Sequence, residues 1–130
     1  MLKKFSFIPV ILFICLLCFS CMENKNKSPA VLFQEYCNCS IQAQYLLDDK
    51  TRVDIVTNEY AIEIDYAIDF YEAIGQSLFY AEKTGLKPGI LLILKEEKDI
   101  RYLKRLLLVA EKYKITVWTL RTGIIRKEDK

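Results

Sequence analysis

Apolar side chains recur at every second position in some stretches of this chain and at every third or fourth in others, and the switches mark its elements. Ile41, Ala43 and Tyr45 alternate with Gln42 and Gln44. Val53 and Ile55, then Ile62 and Ile64, alternate with Asp54, Glu63 and Asp65. Because residues i and i+2 share a face of a strand, these runs predict three strands, from about 40 to 45, 51 to 57 and 60 to 66. Phe70, Ala73, Ile74, Ser77, Leu78 and Ala81 recur at three and four, predicting a helix over about 68–84 that Gly85 and Pro88 stop. The unbroken run Ile90 to Leu94 predicts a central strand covered on both faces. Asp99 then caps a helix with an apolar stripe of Ile100, Leu103, Leu106, Leu107 and Ala110, and a basic one of Lys98, Arg101, Lys104, Arg105 and Lys112. A last strand runs from Ile115 to Leu120, and Ser28-Pro29 opens a short helix over about 29–36 that buries Val31, Leu32 and Tyr36.

The order is therefore α-β-β-β-α-β-α-β, an α/β fold with a mixed β-sheet flanked by helices. The tail over 121–130 is charged and predicted loose. Mid-helix Gly75 predicts close backbone approach to the strands beneath.

The two strands joined through Thr57-Asn58-Glu59-Tyr60 carry the candidate chemistry. Pairing Thr57 with Tyr60 puts Asp54 opposite Glu63 and Arg52 opposite Asp65, on the face away from Val53, Ile55, Ile62 and Ile64. Carboxylates facing each other repel unless a cation lies between them. A hard divalent ion suits that position, since Mg²⁺ is held by one or two carboxylates plus waters and substrate phosphate. The same residues also fit a solvated strand face on which Arg52 pairs with Asp65.

Charge alters this picture locally rather than globally. Setting Lys3 and Lys4 aside with residues 1–21 leaves 17 basic and 17 acidic side chains, a balance that argues against tight non-specific binding of nucleic acid. Residues 22–82 hold 4 basic and 11 acidic groups, whereas 83–130 hold 13 and 6, as an acidic site beside a basic flank would.

Residues 1–21 read as an export leader, with Lys3 and Lys4 before the apolar run Phe5–Phe19, and 22–30 as a polar tether. The run is short for a spanning helix. Ser20-Cys21 resembles a bacterial lipoprotein box, which implies a lipid on Cys21 and a membrane-anchored domain. Ordinary signal cleavage after Ser20, releasing a periplasmic or extracellular chain, is the competing reading. Translation from Met22 would give a cytoplasmic domain. Cys37 and Cys39, one residue apart, read as thiols rather than a disulfide, and without histidine there is no zinc set.

Over about 31–120 the chain resembles the PD-(D/E)XK, or restriction-endonuclease-like, nuclease superfamily. It is most similar to small bacterial members with a TRVD…AIEVD…EAIGQALYYA…TGKKPGI pattern. Thr51-Arg52-Val53-Asp54, Ala61-Ile62-Glu63-Ile64-Asp65, Glu72-Ala73-Ile74-Gly75-Gln76 and Thr84 to Ile90 carry the resemblance. It implies a Mg²⁺ or Mn²⁺ site held by Asp54 and Glu63, completed by Glu35 of the first helix, and a Gln76–Tyr80 pair beside it. It also implies phosphodiester hydrolysis on DNA or RNA.

The chain departs from the pattern at the lysine expected two residues after Glu63, where Asp65 stands, and Ile68 and Asp69 occupy the alternative positions. Arg52 and Lys83 are the candidate substitutes. Two functions follow from these residues: a metal-dependent nuclease with slow or no turnover, and a non-catalytic envelope lipoprotein that retains the nuclease fold.

Overall fold

The computed structural model describes residues 26–129. The leader, Cys21 and the alternative start at Met22 lie outside them. No helix among the described residues is long and apolar enough to cross a membrane.

The elements in chain order are α1 (Pro29–Cys37), β1 (Gln42–Leu46), β2 (Arg52–Val56), β3 (Tyr60–Tyr66), α2 (Phe70–Thr84), β4 (Lys87–Ile93), α3 (Ile100–Tyr113), β5 (Thr116–Arg121) and β6 (Ile124–Lys127). Short 3₁₀ turns, Ala67–Asp69 and Glu97–Asp99, lead into α2 and α3. One six-stranded sheet runs β1-β2-β3-β4-β5-β6. β3, β4 and β5 are parallel and the remaining pairs antiparallel.

The class is α/β with a mixed sheet, as the pattern predicts, but the order gains a strand. Residues 124–127 are not a loose tail. Thr122 and Gly123 both take positive φ, 49° and 77°, the two-residue turn whose twist suits a hairpin. Arg121 pairs with Ile124 and Leu120 with Ile125, which seals the outer edge of β5.

Two cores sandwich the sheet. On one face α2 and α3 bury Phe70, Ala73, Leu103 and Leu106 against Ile90 and Leu92. On the other, α1 sets Leu32 and Phe33 against Ile55, Ile62, Leu91 and Trp118. β4 is continuously apolar because both layers cover it. Ser28 caps α1 as expected, its hydroxyl accepting from Val31 N–H. The buried side of α1 differs, however: Leu32 and Phe33 face inward, while Val31 and Tyr36 are exposed. Successive residues such as 32 and 33 still subtend one broad inward face, which a nine-residue helix barely resolves as a stripe.

Cys37 and Cys39 form a disulfide, correcting the expectation of free thiols. Asn38 between them is left-handed, at φ 49°. Their Cα atoms are 5.2 Å apart, within the normal span of a bridge.

Gly75 does not mark a close approach. A Cβ there would meet nothing within 4 Å, whereas one on Gly89 would lie 2.9 Å from Ile62 Cγ1 and 3.0 Å from Trp118 Cζ3. Gly75→Ala should therefore stabilise the fold by up to about 1 kcal/mol through helix propensity. Gly89→Ala should cost about 1–3 kcal/mol by overpacking. Urea titrations of both variants check the pair, and equal shifts would refute this placement of the tight contact.

Candidate active site

The β2–β3 turn forms where the sequence places it. Thr57 N–H donates to the Tyr60 carbonyl at 2.9 Å, and the Thr57 hydroxyl accepts from Tyr60 and Glu59 N–H. The register Ile55↔Ile62 and Val56↔Ala61 follows from that turn. One step further along, the regular ladder ceases. There the Asp54 carboxylate accepts the Ile64 N–H at 2.9 Å and the Gln44 side-chain amide at 2.7 Å. Gln44 has φ 54°, so β1 is irregular at the same level. Strict alternation is lost with it. Ile55 packs under α1, whereas Val53 packs with Ala61 and with Tyr80 of α2, not on one face with Ile55 as the period predicts.

Glu63 is only 7% exposed. Burial, then the neighbouring Asp54 carboxylate, by charge and by hydrogen bonding, push its pKa up to about 8; Asp65 and Glu72 add to this. Its Oε2 is buried with no hydrogen-bond partner among the described residues. Asp65 is also raised, by burial first; the Tyr66 N–H works against this and Asp69, Glu72 and Asp54 add to it. Tyr80 packs with Val53 and Ala61 and feels both carboxylates. Burial raises its pKa most, followed by Glu63 and Asp54, while the Arg52 main-chain amide acts in the opposite sense. The charges acting on Glu63 are those of Asp54, Asp65 and Glu72, all negative, and each favours its protonated form.

The structure thus brings Asp54, Glu63 and Tyr80 together, with Asp65 close by. Gln76 lies one turn before Tyr80 on α2, half-buried and without a hydrogen-bond partner among the described residues. Glu72 lies one turn before Gln76 and acts on both Glu63 and Asp65. The spacing 72, 76, 80 could have identified it.

Other candidates lie elsewhere. Glu35 is exposed and pairs with Lys27 at 2.9 Å, on the helix that packs over the α1-side core. Arg52 is exposed, its Cα opposite Leu46 of β1, and forms no ion pair with Asp65. Lys83 holds Asp48 at 2.7 Å and Asp49 at 3.4 Å, pinning the β1–β2 turn. Neither Arg52 nor Lys83 therefore takes the place of the missing lysine.

Among the described residues no group of three or more His, Cys, Asp or Glu is arranged as a metal cage. A pair of carboxylates satisfies Mg²⁺ when water fills the other positions, and the orphaned Glu63 oxygen beside Asp54 fits that requirement.

No protein-family model, curated protein or solved structure matches the chain.

Proposed function

We propose that Asp54 and Glu63 bind Mg²⁺ or Mn²⁺ and that the chain is a PD-(D/E)XK-like metal-dependent phosphodiesterase of slow turnover, tethered outside the cytoplasm by its leader and acting on nucleic acid. The buried Glu63 Oε2, without a hydrogen-bond partner among the described residues, carries this reading, because a divalent ion beside Asp54 would supply the partner that this oxygen lacks. A bound divalent ion would acidify an attacking water and offset charge on the phosphate. Asp54 is held for that role by the Ile64 N–H and the Gln44 amide. Gln76 offers a free amide toward a substrate.

Slow turnover follows from the charge inventory. With neither Arg52 nor Lys83 in the place of the missing lysine, the developing phosphate charge loses a stabiliser of the kind that is commonly worth orders of magnitude in rate. That same lack favours a second reading, a metal-binding domain with no catalytic step.

A melting experiment tests the site without a choice of substrate. Mg²⁺ at about 100 times its dissociation constant should stabilise the protein by about 2.7 kcal/mol. Asp54→Ala should abolish the shift, along with any Mn²⁺-dependent cutting of plasmid or single-stranded DNA. A melt insensitive to both metals would refute the proposal; a metal shift without cutting would leave the non-catalytic reading.

A further inference from the structure

We infer that the cleft between the carboxyl ends of β3 and β4 binds single-stranded nucleic acid, with tyrosine rings taking bases and an unpaired basic set taking phosphates. The cleft encloses about 330 Å³ and is lined by Tyr66, Ile68, Lys95, Arg101 and Tyr102 among others. Of its two tyrosines, Tyr66 is 44% exposed and Tyr102 is half-buried.

The charge around them is arranged to match. Lys95 Nζ lies 3.8 Å from the centre of the Tyr66 ring, and the Arg101 and Arg105 guanidinium groups lie 4.7 and 5.8 Å from that of Tyr102. Arg101 also donates to the Tyr102 hydroxyl at 2.9 Å. None of these three cations forms an ion pair within 4 Å among the described residues, although Arg101 acts on Asp99 across the cleft wall. The nearby acids are engaged elsewhere: Glu96 with Lys98, Glu97 with Arg121, and Asp99 with the main-chain N–H groups of Lys95 and Glu96 at 2.8 and 3.0 Å. The Asp99 hydrogen bonds fix the loop, so Lys95 projects from a rigid base.

Flat rings interleaved with unpaired cations are the complement of an unstacked strand, because every base has a face to stack and every linkage a charge to neutralise. A duplex hides its base faces and offers only the second. Tyr66 adjoins Asp65 at the end of β3, and because alternation sets the two side chains on opposite faces, a track from the cleft to the carboxylate site would pass around that strand end. As a substrate track the cleft rests on the function proposed above; as a binding site it does not.

Fluorescence anisotropy of labelled oligo(dT) and oligo(U) with the full chain in EDTA measures binding with no metal and no cutting. One or both single strands should bind about tenfold or more tightly than a hairpin duplex of equal length. The double variant Lys95→Ala/Arg101→Ala should bind about tenfold more weakly, and its salt dependence should flatten by about 0.7 for each phosphate it no longer neutralises. Tyr66→Leu should weaken binding with the salt slope unchanged. Equal affinity of wild type and the double variant, or preference for duplex, would overturn the inference. Mg²⁺ melts of the same proteins separate the two ideas. Strand binding that disappears in the double variant without any metal shift removes the metal site and keeps the cleft; a metal shift without strand binding does the reverse.

Discussion

Glu63→Gln should raise the melting temperature of the metal-free protein at pH 8 and remove most of the stability loss between pH 4.5 and 8. In the folded chain Glu63 holds its proton up to about pH 8, against an ordinary value of 4.5. Between those values the unfolded chain has lost the proton and the folded one keeps it. Stability is therefore fully present below about 4.5, falls as pH rises, and levels off above about 8, by up to about 1.4 kcal/mol per pH unit over that window. An amide at 63 removes the ionisation and keeps the volume. The comparison of interest is urea unfolding at pH 5 and pH 8 in EDTA. Wild type should lose several-fold more stability than the variant over that interval. Parallel curves would mean that Glu63 is not desolvated as the structure places it. Saturating Mg²⁺ should reverse the ranking at pH 8, since it binds the ionised carboxylates and leaves the variant unaffected.

Phe33→Ala should be among the most damaging single substitutions in the chain, costing about 3–5 kcal/mol. The ring is 2% exposed and meets Trp118 edge-on, centroids 5.1 Å apart at 87°. It is the main anchor of α1, whose only other buried residue is Leu32. Against a total stability of about 5–15 kcal/mol for a typical domain, the loss removes a large share. A lower urea midpoint at unchanged slope is expected. A cost below about 1 kcal/mol would mean that α1 is loosely docked. The Mg²⁺-induced shift should survive in Phe33→Ala, because Phe33 lies in the core opposite Tyr80 and Glu63.

The hairpin at the heart of the fold is legible because turn chemistry and period agree. A Thr57-to-Tyr60 turn permits one register, and the alternation of apolar and acidic residues permits the same one. Depth is not legible. Period two separates Glu63 from Ile62 without indicating that Glu63 is only 7% exposed, since that depends on how α2 seats on the sheet. Nor does alternation survive Asp54, whose carboxylate replaces a ladder partner for Ile64 and sends Val53 to the other core.

The remaining differences have local causes. β6 carries only two apolar residues among charges, so its signal lies in Thr122-Gly123 rather than in periodicity. Helix order alone points to Glu35, yet α1 lies over the opposite core and gives that carboxylate Lys27 as its partner. The small ring of Cys37 and Cys39 closes because Asn38 adopts a conformation that only a few residue types tolerate.

Gln44 has one more effect, at the border of the sheet. β1 is exposed throughout its length and presents Tyr45 and Leu46 to water, the kind of strand along which a second molecule can zip and seed aggregation. The left-handed backbone at Gln44 interrupts that row of amides and carbonyls at its midpoint. The twist that helps hold Asp54 in place thereby also guards the chain against self-association.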